Sequence, residues 1–163
     1  MFHIERMQEH MRGEVLPMVK EFYQSDAVSH PVEVSVLERT FADAVSEDPV
    51  VEGQVLMEDE RIVGFGYTTI YYACEAGGRC MMFEELFLKE EARGKGYGSR
   101  YFQEMFERHP EVRRFRLEVS RSNEAAVRLY ERLGFSFLEY DQMALDSKAA
   151  KAHERNFYES PFE

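Results

Sequence analysis

The stretch Arg93-Gly94-Lys95-Gly96-Tyr97-Gly98 joins a hydrophobic, strand-like run (Met81 to Leu88) to an amphipathic, helix-like run (Tyr97 to Arg108). Few backbone arrangements place alternating glycines between a strand and a helix. Glycine permits φ > 0 and a close backbone approach where a Cβ would clash. The N–H groups that open a helix have no intrahelical acceptor, and the helix dipole favours negative charge beside them. A loop of this kind is a cradle for phosphate. Arg93 and Lys95 add full positive charges to it, in a chain whose net charge is −11.

Spacing narrows the kind of loop. A Walker A loop needs G-x-x-x-x-G-K-[ST], whereas Lys95 is followed by Gly96. A dinucleotide fingerprint needs G-x-G-x-x-G, whereas the third glycine arrives one residue early at Gly98 and the next residue is Ser99. The pattern that remains is R-x-x-G-x-G, carried by Arg93, Gly96 and Gly98. Downstream, Asn123-Glu124-Ala125-Ala126 opens a helix-like segment with Val127, Leu129, Tyr130 and Leu133 in it, and Gly134-Phe135 closes it. This reads N-x-x-A-x-x-L-Y-x-x-x-G-F. The two motifs, in this order and with the strand-like run Phe115 to Val119 between them, resemble the signatures of the GNAT N-acetyltransferase family. The resemblance spans residues 61 to 145. It implies an α/β acyl-CoA N-acyltransferase fold, with a mixed, mostly antiparallel central sheet flanked by helices. It also implies that the glycine loop holds the pyrophosphate of acetyl-CoA.

Composition bounds the rest. At 163 residues the chain is expected to form one domain over 1–163, with residues 147–163 as a polar extension. Hydrophobic residues make up 44%, which argues against disorder. No run approaches a membrane span, and Met1-Phe2-His3-Ile4-Glu5-Arg6 lacks a signal-peptide pattern, so a cytoplasmic protein without membrane partners is expected. The negative charge opposes non-specific nucleic-acid binding; it suits a cationic substrate and equally suits plain solubility. Cys74 and Cys80 flank a Gly77-Gly78 hairpin tip. A two-residue turn would set Cys74 opposite Met81 and a three-residue loop would set it opposite Cys80, so a disulfide needs the second register; free thiols are expected. No residue spacing suggests a metal site.

Periodicity predicts strands over Phe2–Met7, Val50–Met57, Arg61–Ala73, Arg79–Leu88 and Phe115–Val119, and a last strand over Phe135–Leu145. Helices are expected over Met11–Ser25, with Pro17 marking a kink or a late start, and over Ser35–Val45, with Val36, Leu37, Phe41 and Val45 inward. Tyr97, Tyr101, Phe102, Met105 and Phe106 form a core-facing stripe on the helix after the loop.

Acetyl transfer from a thioester to an amine needs a held CoA, a deprotonated amine, a donor for the oxyanion and a proton for the thiolate. By the resemblance, Arg93, Gly94, Lys95, Gly96, Tyr97, Gly98 and Ser99 bind the phosphates. Backbone groups of Phe87 and Leu88 pair with the pantetheine arm, beside a bulge that splays this strand from the next, and Asn123 contacts CoA or its neighbours. Asn is equally a good N-cap. Tyr130 stands where the family has its general acid; with an unperturbed pKa of ~10 it is protonated at neutral pH. Glu84 and Glu85 interrupt an otherwise apolar strand, and adjacent strand residues face opposite ways, so at most one of them is expected to point into the acceptor cleft. Phe83-Glu84-Glu85-Leu86-Phe87-Leu88 is similar to the Leu-Glu-Asp-Phe-Phe-Val pattern of the spermidine/spermine acetyltransferase branch. That match makes Glu84 the base and Glu85 its neighbour; Glu118 is a reserve candidate. The reading implied is an N-acetyltransferase that moves acetyl from acetyl-CoA to the primary amine of a small molecule by direct attack, without a metal. Its alternatives are a protein N-terminal or lysine acetyltransferase, and a CoA-binding module without turnover. Many members of the family dimerise, and no residue here defines an interface.

Overall fold

The computed structural model describes residues 1–28, 30–47 and 50–147. Five strands form one sheet in chain order: β1 (Phe2–Arg6), β2 (Val51–Glu58), β3 (Arg61–Ala73), β4 (Gly78–Leu88) and β5 (Arg114–Leu117). The first four pair antiparallel, and β5 pairs β4 in parallel, which gives the mixed sheet expected. Helices α1 (Arg12–Tyr23) and α2 (Val34–Val45) lie between β1 and β2 in the chain. Helix α3 (Tyr97–Arg108) connects β4 to β5, and α4 (Glu124–Arg132) follows β5.

Each face of the sheet buries its own core. On one, Val15, Val19, Leu37 and Phe41 of α1 and α2 close over Phe65, Tyr67 and Phe87. On the other, Tyr101, Phe102 and Met105 of α3 close over Leu56, Met81 and Phe83, with Tyr130 and Phe135 packed alongside. The stripe predicted for α3 is this contact. In α2 the inward residues are Leu37, Phe41 and Ala44, at i, i+4 and i+7, while Val36 turns outward and is exposed. Pro17 neither delays nor ends α1. Pro17 and Gly13 are both exposed, so the Gly13 carbonyl that loses its helical donor faces solvent.

Two further expectations are corrected. Residues 135–145 form no strand. Phe135 packs on Phe102, Phe106 and Tyr130, the Phe137 ring lies under Arg121, and the Tyr140 hydroxyl donates to Glu75. Side-chain contacts therefore hold the segment off β5, and a cavity of about 520 Å³ lies between them. Phe137, Leu138, Tyr140, Met143 and Leu145 are exposed, so no face of this segment is buried against the sheet. Neither hairpin register applies: Ala73 pairs Gly78 around a four-residue tip, which puts Cys80 opposite Tyr71. Both cysteines are free, Cys80 buried and Cys74 exposed. The expected C-terminal extension lies almost wholly outside the described residues.

Candidate active site

The loop after β4 has the geometry its glycines suggest. Gly94 and Gly96 have φ of 75° and 79°, a region an L side chain rarely adopts. Gly96 caps α3, and the first helical bond runs from the Arg100 N–H to the Gly96 carbonyl at 3.1 Å. The N–H groups of Tyr97, Gly98 and Ser99 therefore have no intrahelical acceptor and open the helix toward an anion. Arg93 Nε donates to the Leu88 carbonyl at 2.9 Å, tying the loop to the end of β4.

Glu58, at the end of β2, was not singled out by sequence. It accepts from Lys95 Nζ at 2.7 Å and from the Tyr97 hydroxyl at 2.5 Å. These two hydrogen bonds, Lys95 first, hold its carboxyl at about 2, below the usual carboxylate range. A phosphate seated in this loop would have to compete with the fixed Glu58 carboxylate for Lys95. Glu58→Gln is expected to tighten CoA binding several-fold at low ionic strength, with the gain shrinking as salt screens it. Calorimetric titration with CoA at two salt concentrations checks this; unchanged affinity would separate Lys95 from the phosphate site.

Beside the loop the sheet opens. β5 pairs β4 only over Cys80–Phe83, so from Glu84 onward the β5-facing edge of β4 has no strand partner. On the other edge of β4 the register to β3 slips: Tyr67 pairs Glu85, while Thr68 pairs Phe83. Glu84 is the extra residue of a bulge, a feature sequence alone did not reveal. Its effect is to break the alternation of faces. Phe83 belongs to the α3 core, whereas Glu85 and Phe87 turn to the α1 side. The free edge of Glu84 to Leu88 is a slot in which an extended pantetheine arm could pair as an added strand.

The two carboxylates now differ sharply. Glu84 is exposed and accepts from Thr69 Oγ1 at 3.0 Å. Glu85 is largely buried, accepts from the Tyr23 hydroxyl, and has its Oε2 without a partner. Burial raises its carboxyl to about 7; the Tyr23 hydrogen bond opposes that rise and the Glu84 charge adds to it. Tyr67, opposite Glu85 on β3, is buried with an unpartnered hydroxyl. Burial raises the Tyr67 and Tyr23 hydroxyls, so both remain protonated at neutral pH. Tyr23 carries no sequence mark of its own, because a helix-face tyrosine reads as core.

Tyr130 lies on the other face, its ring edge-on to Phe102 at 5.6 Å and near Phe135 at 6.1 Å. Burial raises its hydroxyl and keeps it protonated. Asn123 caps α4, accepting from the Ala126 N–H at 3.3 Å, so the N-cap role is realised. Glu118 is exposed and lines the cavity beyond β5. Among the described residues no cluster of His, Cys, Asp and Glu could hold a metal ion, and no helix is long and apolar enough to cross a membrane.

A glycine cradle on a helix N-terminus, beside a slot where two parallel strands part, defines an acyl-CoA-binding α/β protein. The profile of the acetyltransferase (GNAT) family matches residues 16–135. Two thialysine N-epsilon-acetyltransferases are similar over 132 residues, that of Sus scrofa at 30% identity and that of Mus musculus at 26%. Each match covers 75% of this chain and 76% of the relative. An aminoglycoside N-acetyltransferase solved with CoA superposes at a TM-score of 0.72, with 14% identity, over 90% of this chain and 95% of that one. The chain belongs to the GNAT acetyltransferase family and is an acetyl-CoA-dependent N-acetyltransferase.

Proposed function

We propose that this enzyme acetylates the primary amine of a small molecule by direct attack, with Glu85 as general base and Tyr130 as general acid. The observation that carries the reading is Glu85, a buried carboxylate with a free oxygen and a carboxyl near 7, on the sheet face walled by α1. A base of that strength can accept a proton at neutral pH. Glu84, the base suggested by the sequence match, is exposed and bonded to Thr69, which leaves Glu85 the better placed of the two.

The fit to acetyl-CoA rests on the cradle of Arg93 to Ser99, the unpaired edge of β4 around Phe87 and Leu88, and the α4 start at Asn123. Bound acetyl-CoA would supply the activated acyl group. Glu85 takes one proton from the acceptor ammonium, which leaves nitrogen its lone pair. A backbone N–H on the free edge of β4 meets the negative charge that develops on the carbonyl oxygen. Tyr130 gives its proton to the departing sulfur. The amine sheds a second proton, so one proton is released per turnover. Glu85 lies on the α1 side of the sheet and Tyr130 packs with the α3 core, so this reading has them reach the thioester from different sides of β4.

The mouse and pig relatives point to an amino-acid amine, so the acceptor panel begins there. Thiol release from acetyl-CoA is measured with thialysine, lysine, polyamines, an aminoglycoside and a peptide with a free N-terminus, blanked for Cys74 and Cys80. Release with at least one small amine is expected. Release with the peptide alone would move the assignment to a protein acetyltransferase. No release from a protein that binds CoA would favour a binding module.

A further inference from the structure

Glu85 is held by one oxygen only. Tyr23, the last residue of α1, donates its hydroxyl to Oε1, whereas Oε2 is buried and unpartnered. The Tyr67 hydroxyl, directly across the β3–β4 ladder, is buried and unpartnered too. Among the described residues, Ser35 Oγ is the one other side-chain N or O atom in this condition. A buried polar group left unpaired is destabilising and rare, and two on paired strand positions mark a place where a ligand atom restores both bonds. An ammonium has three donors and no acceptor, so it can donate both to Glu85 Oε2 and to a lone pair of the Tyr67 hydroxyl oxygen.

We infer that Tyr23 is a positioning residue for the acceptor site: it anchors Glu85 Oε1 so that Oε2 faces the incoming nitrogen, with the Tyr67 hydroxyl as the nitrogen's second hydrogen-bond partner. The inference rests on Glu85 as the base. Tyr23 is itself held, because its ring meets Phe22 edge-on at 5.3 Å, and Phe22 meets Phe65 edge-on at 6.2 Å. The groups facing Glu85 are thus Tyr23 from α1, Tyr67 from β3 and Glu84 from β4 itself. In the proton step one N–H bond of the ammonium breaks, its electron pair stays on nitrogen, and the proton bonds to Oε2. Oε1 keeps its hydrogen bond from Tyr23 throughout, so the carboxyl does not rotate as it changes charge.

The test titrates Glu85 in the full chain, independently of turnover. Glutamate labelled with ¹³C at the carboxyl carbon gives a resonance assigned by its loss in Glu85→Gln. The wild-type carboxyl is expected to titrate near 7. In Tyr23→Phe the midpoint rises by about half to one pH unit, because a donor to the carboxylate is gone. A fluorinated tyrosine at position 23, a stronger donor of nearly the same shape, moves it the other way. Tyr67→Phe, which removes a hydroxyl without a bond to Glu85, moves it less and instead raises KM for the amine found in the panel. An unmoved midpoint in a Tyr23→Phe protein that still binds CoA would overturn the inference while leaving the base in place. Full activity of Glu85→Gln at neutral pH would overturn the base, and the role of Tyr23 with it.

Discussion

Glu85→Gln is expected to lower kcat/KM at pH 7.5 by about 10²–10⁴-fold, the range a general base contributes. CoA affinity should hardly change, because the proposed phosphate cradle of Arg93 to Ser99 begins beyond the end of β4. The same substitution should make the protein more stable, and the sign follows from linkage. The Glu85 carboxyl is raised from 4.5 to about 7 in the folded state. Folding therefore favours the protonated form. Below pH 4.5 both states are protonated and the penalty is absent. It grows as pH rises and is complete above about 7, where it reaches at most on the order of 3 kcal/mol. Thermal unfolding at pH 8 and pH 4 checks the claim: Glu85→Gln should gain melting temperature over the wild type at pH 8 and lose that advantage at pH 4. An equal difference at both pH values would mean that Glu85 is not a desolvated carboxylate. Activity lost together with stability gained is the signature of a group kept for chemistry.

Much of this architecture was legible because it is written in periodicity. The bounds of β3 and α3 coincide with those read from the sequence, since long alternating or amphipathic runs with glycine punctuation leave little choice. The conformation of the glycine loop was legible because positive φ at Gly94 and Gly96 is a backbone demand that only certain residues meet. What could not be read depends on register. The slip at Glu84 is a property of two strands together: no pattern in β4 alone tells that Phe83 and Glu85 will face opposite sides. Without it, alternation assigns at most one of Glu84 and Glu85 to the cleft and leaves open which. The bulge also explains why the match to a relative's strand pattern is not enough to choose the base. Residues 135–145 fail for a related reason. Phe135 and Phe137 alternate like a strand, but their rings find Phe102 and Arg121, and alternation by itself does not bring a segment to an edge.

Tyr130→Phe is the second large effect, and it separates an acid from a core aromatic. Its ring packs on Phe102 and Phe135, and phenylalanine preserves that packing. No hydrogen bond to the Tyr130 hydroxyl is lost among the described residues, so the fold should tolerate the change with little loss of stability. If the hydroxyl protonates the leaving sulfur, kcat should fall by about 10²-fold or more, while CoA affinity stays near the wild-type value. The loss should depend on the leaving group. With an acyl donor whose thiol is more acidic than CoA, the departing thiolate needs less help and the defect should shrink. That dependence is the decisive readout, because a purely structural role for Tyr130 would slow every donor alike. Burial raises the Tyr130 hydroxyl, so the acid stays loaded across the neutral range, and no basic limb belonging to Tyr130 should appear below about pH 10. Wild-type kcat/KM should instead rise through one acid limb near 7, set by Glu85. If Glu85 is the base, the pH profile is governed by the carboxylate that the bulge turns toward α1.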